Sequence, residues 1–184
     1  DPADIVDLIE YMNGDASTRW GQQRVADGYP EPLGLRYIEI GNEELTEAPG
    51  PGGTRRLVRQ DYGTLFKAHA DAIATADPTM TIIAAPWLYN EDELDYPENI
   101  APVRQILEAA RGRNVLWDVH VGGDGLRDAD TAERFIGRLR AWLDELDPDN
   151  QIGFCVLEEN GGRHDLQRAL GHAHMVNTME RLAG

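Results

Sequence analysis

The chain has 184 residues, 41% of them hydrophobic, with 17 basic against 33 acidic side chains and a formal net charge of −16. That length and apolar content suffice for one folded domain with a core. The acidic excess argues against nucleic acid and against an anionic membrane surface as partners, and is compatible with a neutral one such as carbohydrate. Cys155 is the single cysteine, which excludes an internal disulfide and a cysteine-based metal site; in an apolar strand it reads as a small buried hydrophobe. No apolar run reaches the roughly 18 residues that would suggest a membrane span. The opening "DPADIVDLIEY" has no leader pattern and is already helical. The chain is therefore read as a piece of something longer, its compartment open with a cytoplasmic one slightly favoured.

In chain order, Asp1-Pro2 and the apolar spacing at Ile5, Leu8 and Ile9 predict a capped first helix. The polar passage from Asn13 to Gly34 is expected to be one long loop, a length usually tied to function. A strand follows at 35–41, a loop at the "GPGG" of 50–53, and a helix from Asp61 to Ala76, stopped by Asp77-Pro78. Strand two is 80–87, a helix spans about 99–112, and strand three is 115–121. A helix over about 130–146 carries Phe135, Leu139, Trp142 and Leu143 on one face. Strand four is 152–160, and the last helix runs from about His164 to Leu182. Short apolar strands alternating with amphipathic helices imply a parallel sheet wrapped by helices, either doubly wound or a (β/α) barrel.

The polar residues collect where the strands stop: Asn42 and Glu43 after the first, Trp87 after the second, Asp118 and His120 on the third, Glu158, Glu159 and Asn160 on the fourth. Carboxyl ends of parallel strands converge on one face in either architecture. No glycine-rich phosphate motif follows a strand, so no nucleotide is expected; "GPGG" reads as a plain loop. Two glutamates on different strand ends could serve as acid/base and nucleophile of a retaining glycosidase, where about 5–5.5 Å separates the carboxyls. Spacing alone equally admits solvated surface acids.

"YIEIGNE" at 37–43 resembles the acid/base motif of clan A glycoside hydrolases, in which Asn-Glu ends the fourth barrel strand. The wider passage "EYMNGDASTRWGQQRVADGYPEPLGLRYIEIGNE" at 10–43 is similar to the α-L-arabinofuranosidases of glycoside hydrolase family 51, and "ENGGRHDLQRALGHAH" continues the likeness more loosely. The resemblance implies a (β/α)8 TIM barrel, of which residues 1–184 would be a partial catalytic domain holding about four parallel strands, the family's fourth to seventh. It implies a retaining hydrolase that removes terminal α-L-arabinofuranosyl residues by double displacement, without metal or cofactor. The alternatives are another clan A glycosidase, such as a xylosidase or endoglucanase, or an inactive carbohydrate-binding or structural fragment. Carried over by position, Glu43 would be the general acid/base and Asn42 the contact to the sugar 2-hydroxyl.

For the nucleophile, strict alternation groups Ile152, Phe154, Val156 and Glu158 on one side and Glu159 on the other, so Glu158 is preferred, with Asn160 two residues on. His120 is a candidate to orient a carboxylate or touch sugar. Trp87 after the second strand, and equally Trp20 in the long loop, could stack on a sugar face; Trp117 and Trp142 read as core. His172 and His174, two apart on a helix, do not face each other and give no zinc site. Glu39 is read as structural, needing a partner, for which a strand outside this chain is one source. Relatives often follow the sixth-strand histidine with tyrosine; here Gly122 and Gly123 follow Val121. An eight-stranded barrel cannot close with four strands, so self-association or docking to the rest of a parent barrel is expected, with little activity for the chain alone.

Overall fold

The computed structural model describes residues 1–44, 59–86, 88, 91–149 and 152–183. The "GPGG" loop and Trp87 lie outside them. Helix α1 (Pro2–Asn13) starts as expected, with the Asp1 side chain accepting from the Ala3 N–H and Pro2 in the first turn. The expected long loop instead contains a second helix, α2 (Arg19–Ala26), capped by Thr18 through the Gly21 N–H. Its eight residues have too few apolar positions to leave a helical period in the sequence. It is tied down by Arg24, which is 0% exposed and donates to the carbonyls of Tyr11 (2.9 Å), Gly14 (2.6 Å) and Tyr29 (3.1 Å). A buried guanidinium is tolerated because these carbonyls satisfy its fork of donors. The Asn13 side chain then brackets Leu35, donating to its carbonyl and accepting from its N–H, and delivers the chain to the first strand.

Strands β1 (Tyr37–Ile40), β2 (Thr81–Ala84), β3 (Asn114–Asp118) and β5 (Gly153–Cys155) form one parallel sheet in the order β1-β2-β3-β5. Helices α3 (Arg59–Ala76), α4 (Pro97–Ala110), α5 (Leu126–Leu146) and α6 (Leu166–Ala183) alternate with them. Ile38, Ile40, Ile82, Ala84, Val115 and Trp117 point to the helices and join Tyr62, Phe66, Ile106, Leu107, Leu139, Trp142 and Leu143 in the core. Trp117 and Trp142 are thus core residues, as expected. Gly63 lets α3 approach α4 closely: a Cβ there would sit 2.7 Å from the Pro102 carbonyl oxygen. The opposite face of the sheet carries Tyr37, Glu39 and Asp118 by the two-residue period.

Two expected strands are each interrupted. Beyond Asp118 and Cys155, a second small pair forms between β4 (Val121–Gly122) and β6 (Glu159–Asn160). Asp118 pairs with Cys155 and Val121 with Glu159, so three steps on one strand match four on the other. That extra residue is a bulge, and a bulge re-aims the side chains that follow it. Among the described residues no helix is long and apolar enough to cross a membrane.

Candidate active site

The end of β1 turns sharply. Gly41 has φ +86°, and a Cβ there would lie 2.4 Å from Cγ of Glu44. Glu43 itself has φ +54°, a left-handed conformation that costs a non-glycine residue roughly 1–3 kcal/mol and tends to cluster at functional sites. Neighbouring Glu44 is committed to the turn: its N–H donates to the Ala85 carbonyl (3.1 Å) and its Oε1 accepts from the Asn42 N–H (3.1 Å). From beneath, the buried Tyr62 hydroxyl donates to the Ile40 carbonyl (2.7 Å) and accepts from the Ala85 N–H (2.8 Å), riveting the ends of β1 and β2.

Just past the end of β3, His120 links the acids. Its Nδ1 lies 3.0 Å from Oε1 of Glu43 and 3.9 Å from Oε2 of Glu158, and its Nε2 lies 2.7 Å from Oδ2 of Asp118. The last contact is close without being aligned as a hydrogen bond. Burial works against the charged imidazole, but the hydrogen bond to Glu43 and the charges of Asp118 and Glu158 outweigh it and hold its pKa above the ordinary value. Below it, Glu39 faces Asp118. Desolvation first, then the charge and hydrogen bond of Asp118, push the Glu39 carboxyl up to about 7. Glu39 is exposed overall, so the nearby like charge is the more durable of these causes. Its partner is therefore Asp118 of β3, within this chain and not on an absent strand.

Glu43, His120, Glu158 and Asn160 line one cleft of ≈ 400 Å³, with Gly122, Gly161 and Gly162 contributing backbone. Single atoms of Glu43, His120 and Glu158 all lie within 4.8 Å of one another, as do those of Glu39, Asp118 and His120. Either set is close enough to share a cation, a spacing acid–histidine groups also adopt without one. Asn42 is exposed beside Glu43 and is not among the lining residues; Trp20 lies on α2 with Arg19 stacked 4.8 Å over its ring, away from the cleft.

Glu159 turns the other way. It accepts from Nη2 of Arg168 (3.1 Å) and Nδ1 of His172 (2.7 Å) on α6. His174 instead meets the Leu126 carbonyl. Glu158 thus reaches the cleft, but not by the alternation expected. Phe154 packs against the core while Cys155 faces the inner side near Asp118 and Glu39; unbroken alternation would have sent Glu158 toward the helices and Glu159 inward. The bulge reverses both. Burial, then the Asp118 and Glu39 charges, push the Cys155 thiol up to about 12.

The family model for the alpha-L-arabinofuranosidase 1 domain matches residues 2–121. A probable alpha-L-arabinofuranosidase A of Aspergillus oryzae is 40% identical over 82 residues, 45% of this chain and 12% of that protein. An extracellular exo-alpha-L-arabinofuranosidase of Streptomyces chartreusis is 49% identical over 81 residues, 44% of this chain and 8% of that one. The chain therefore corresponds to a small part of these relatives. Among solved structures, an arabinofuranosidase superposes with TM-score 0.76 at 18% identity, and the family 51 α-L-arabinofuranosidase of Thermotoga petrophila with 0.72 at 17%; each match covers 100% of this chain and 39% of the other. At those identities the likeness concerns the fold, and the four parallel strands with their helices are a section of the barrel that such chains build. With the family model matching from α1 through β4, the chain belongs to the alpha-L-arabinofuranosidase 1 domain family.

Proposed function

We propose that this chain carries the catalytic pair of a retaining glycoside hydrolase that releases terminal α-L-arabinofuranosyl residues. The observation that carries the reading is that carboxylate oxygens of Glu43 and Glu158 lie within 4.8 Å of each other across one cleft. That nearest-atom spacing supports direct attack on the sugar, since the carboxyl groups of retaining pairs stand about 5–5.5 Å apart and those of inverting pairs about 6.5–9.5 Å. The names of the relatives supply the sugar.

In this mechanism Glu158 attacks the anomeric carbon while Glu43 gives its proton to the departing glycosidic oxygen. The C–O bond breaks and an arabinofuranosyl ester forms on Glu158. Glu43, now a carboxylate, takes a proton from water as the water's oxygen attacks the same carbon and frees Glu158. His120 orients Glu43; Asn42 and Asn160 are assigned to sugar hydroxyls, and Trp87 to a sugar face.

In the polypeptide that carries this sequence, Glu43→Ala should slow arabinofuranosides with poor leaving groups by about 100-fold or more. Activated aryl substrates should suffer far less, and azide should restore turnover. A mechanism-based inhibitor should label Glu158. Equal loss on both substrate types without rescue, or a label on Glu159, would sink the assignment.

A further inference from the structure

Asp118 reaches each half of this pair through one intervening residue, without lining the cleft. Its side chain is 0% exposed. Oδ1 accepts the Leu157 N–H at 2.8 Å, and Leu157 directly precedes Glu158. Oδ2 lies 2.7 Å from Nε2 of His120, whose Nδ1 stands 3.0 Å from Glu43. The Leu157 N–H belongs to the bulge between β5 and β6, where the ladder passes from Val119 N–H donating to the Cys155 carbonyl to Val121 N–H donating to the Glu158 carbonyl. An N–H left out of a ladder needs another acceptor, and Asp118 supplies it.

Resting on the reading that Glu43 and Glu158 react with the sugar, we propose that Asp118 is a positioning residue that aims both carboxylates from one buried side chain. It sets Glu158 through the backbone at Leu157 and Glu43 through the His120 ring. Both tasks require an acceptor, and a carboxylate offers two. With the Asp118 charge 2.7 Å from Nε2 favouring a proton on that nitrogen, Nδ1 can match either state of its neighbour. It donates to Glu43 when that group is a carboxylate and accepts from it when that group holds the proton to be transferred. The other ionisable groups facing this assembly are Glu39 from β1, Cys155 from β5 and Glu158 beyond it.

The test compares Asp118→Asn and Asp118→Ala in the polypeptide carrying this sequence. Asparagine keeps an acceptor for Leu157 but can present only an amide N–H to Nε2. It should leave inhibitor labelling of Glu158 within several-fold of the parent while kcat on a poor leaving group falls about 100-fold, a loss of the size a misplaced group causes. KM and the activated aryl substrate should change little. In nitrogen NMR spectra the His120 titration should move to lower pH, because a raising charge is gone. Alanine should in addition slow labelling of Glu158 by about 100-fold. An unmoved His120 titration in the asparagine variant, a uniform loss on both substrates, or parent-like labelling in the alanine variant would overturn the positioning role while the catalytic pair stands. Failure of the unmodified polypeptide to take label on Glu158 would overturn the catalytic reading, and this proposal with it.

Discussion

Glu39 is the residue whose ionisation should be most visible in solution. Its carboxyl pKa is pushed from 4.5 to about 7 by desolvation and by Asp118. Between those two values the folded chain holds a proton that the unfolded chain has released, so stability falls as pH rises through that window and levels off above it. His120, whose pKa is also raised, adds a loss in the same direction, since its stabilising proton leaves as pH climbs past its folded value. Glu39→Gln removes the first effect while keeping a hydrogen-bonding group against Asp118. Its urea midpoint should match the parent at pH 4 and exceed it at pH 8; a midpoint equal to the parent's at both pH values would show that the fold does not raise the Glu39 carboxyl. Part of this cluster was legible in the sequence, because Asp118 and His120 lie two apart in the expected third strand, where they would share a face; the structure ends β3 at Asp118 but still brings the two side chains together. The pairing of Glu39 with Asp118 was not, because it crosses β2 and depends on the register Glu39–Ile83–Leu116.

Among the elements, the ones with long apolar periods were readable and the ones held by polar groups were not. Helices α3 and α5 show their buried faces in sequence. Helix α2 depends on the Thr18 cap and the Arg24 guanidinium, and neither leaves a hydrophobic period. The split of the last strand is equally hidden, since a one-residue bulge has no composition of its own. What connects a readable helix to the site is Tyr62 of α3, which bridges the Ile40 carbonyl and the Ala85 N–H at the ends of β1 and β2. Tyr62→Phe keeps the ring in its place and strips both backbone groups of their partner. With about 1–3 kcal/mol for each buried group left unsatisfied, the variant should lose about 2–4 kcal/mol of stability in denaturant melts. Amide exchange at Ala85 should accelerate most, because that N–H would then lack an acceptor. Loss of under about 0.5 kcal/mol would mean that water replaces the hydroxyl and that the strand ends are not held from below.

At the scale of the whole molecule, the sheet has two open sides. No strand among the described residues pairs with the outer edge of β1 or of β5, and such edges are templates for pairing with another chain. Near them the surface is apolar in places: Tyr37 is 60% exposed on β1, Leu157 53% beyond β5, and Leu166 74% at the start of α6. Against association stands the net charge of −16, which repels copies of the chain at long range but is screened within about 10 Å at 0.1 M salt. These opposed terms predict a specific salt dependence. The 184-residue chain by itself should scatter light as a small species at low salt and low concentration, and should grow in mass as either is raised. A charge-driven assembly would do the opposite and dissociate in salt. Substituting Tyr37 and Leu157 with lysine, which places charge along both edges, should shift the onset to higher concentration. Turnover of an aryl arabinofuranoside should stay near background throughout, because among the described residues the cleft is lined only from beyond the ends of β1, β3 and β5, too few contacts to hold a sugar in a fixed attitude. A concentration-independent monomer with full turnover would mean that both edges are already capped within this chain and that four strands are enough to build the pocket.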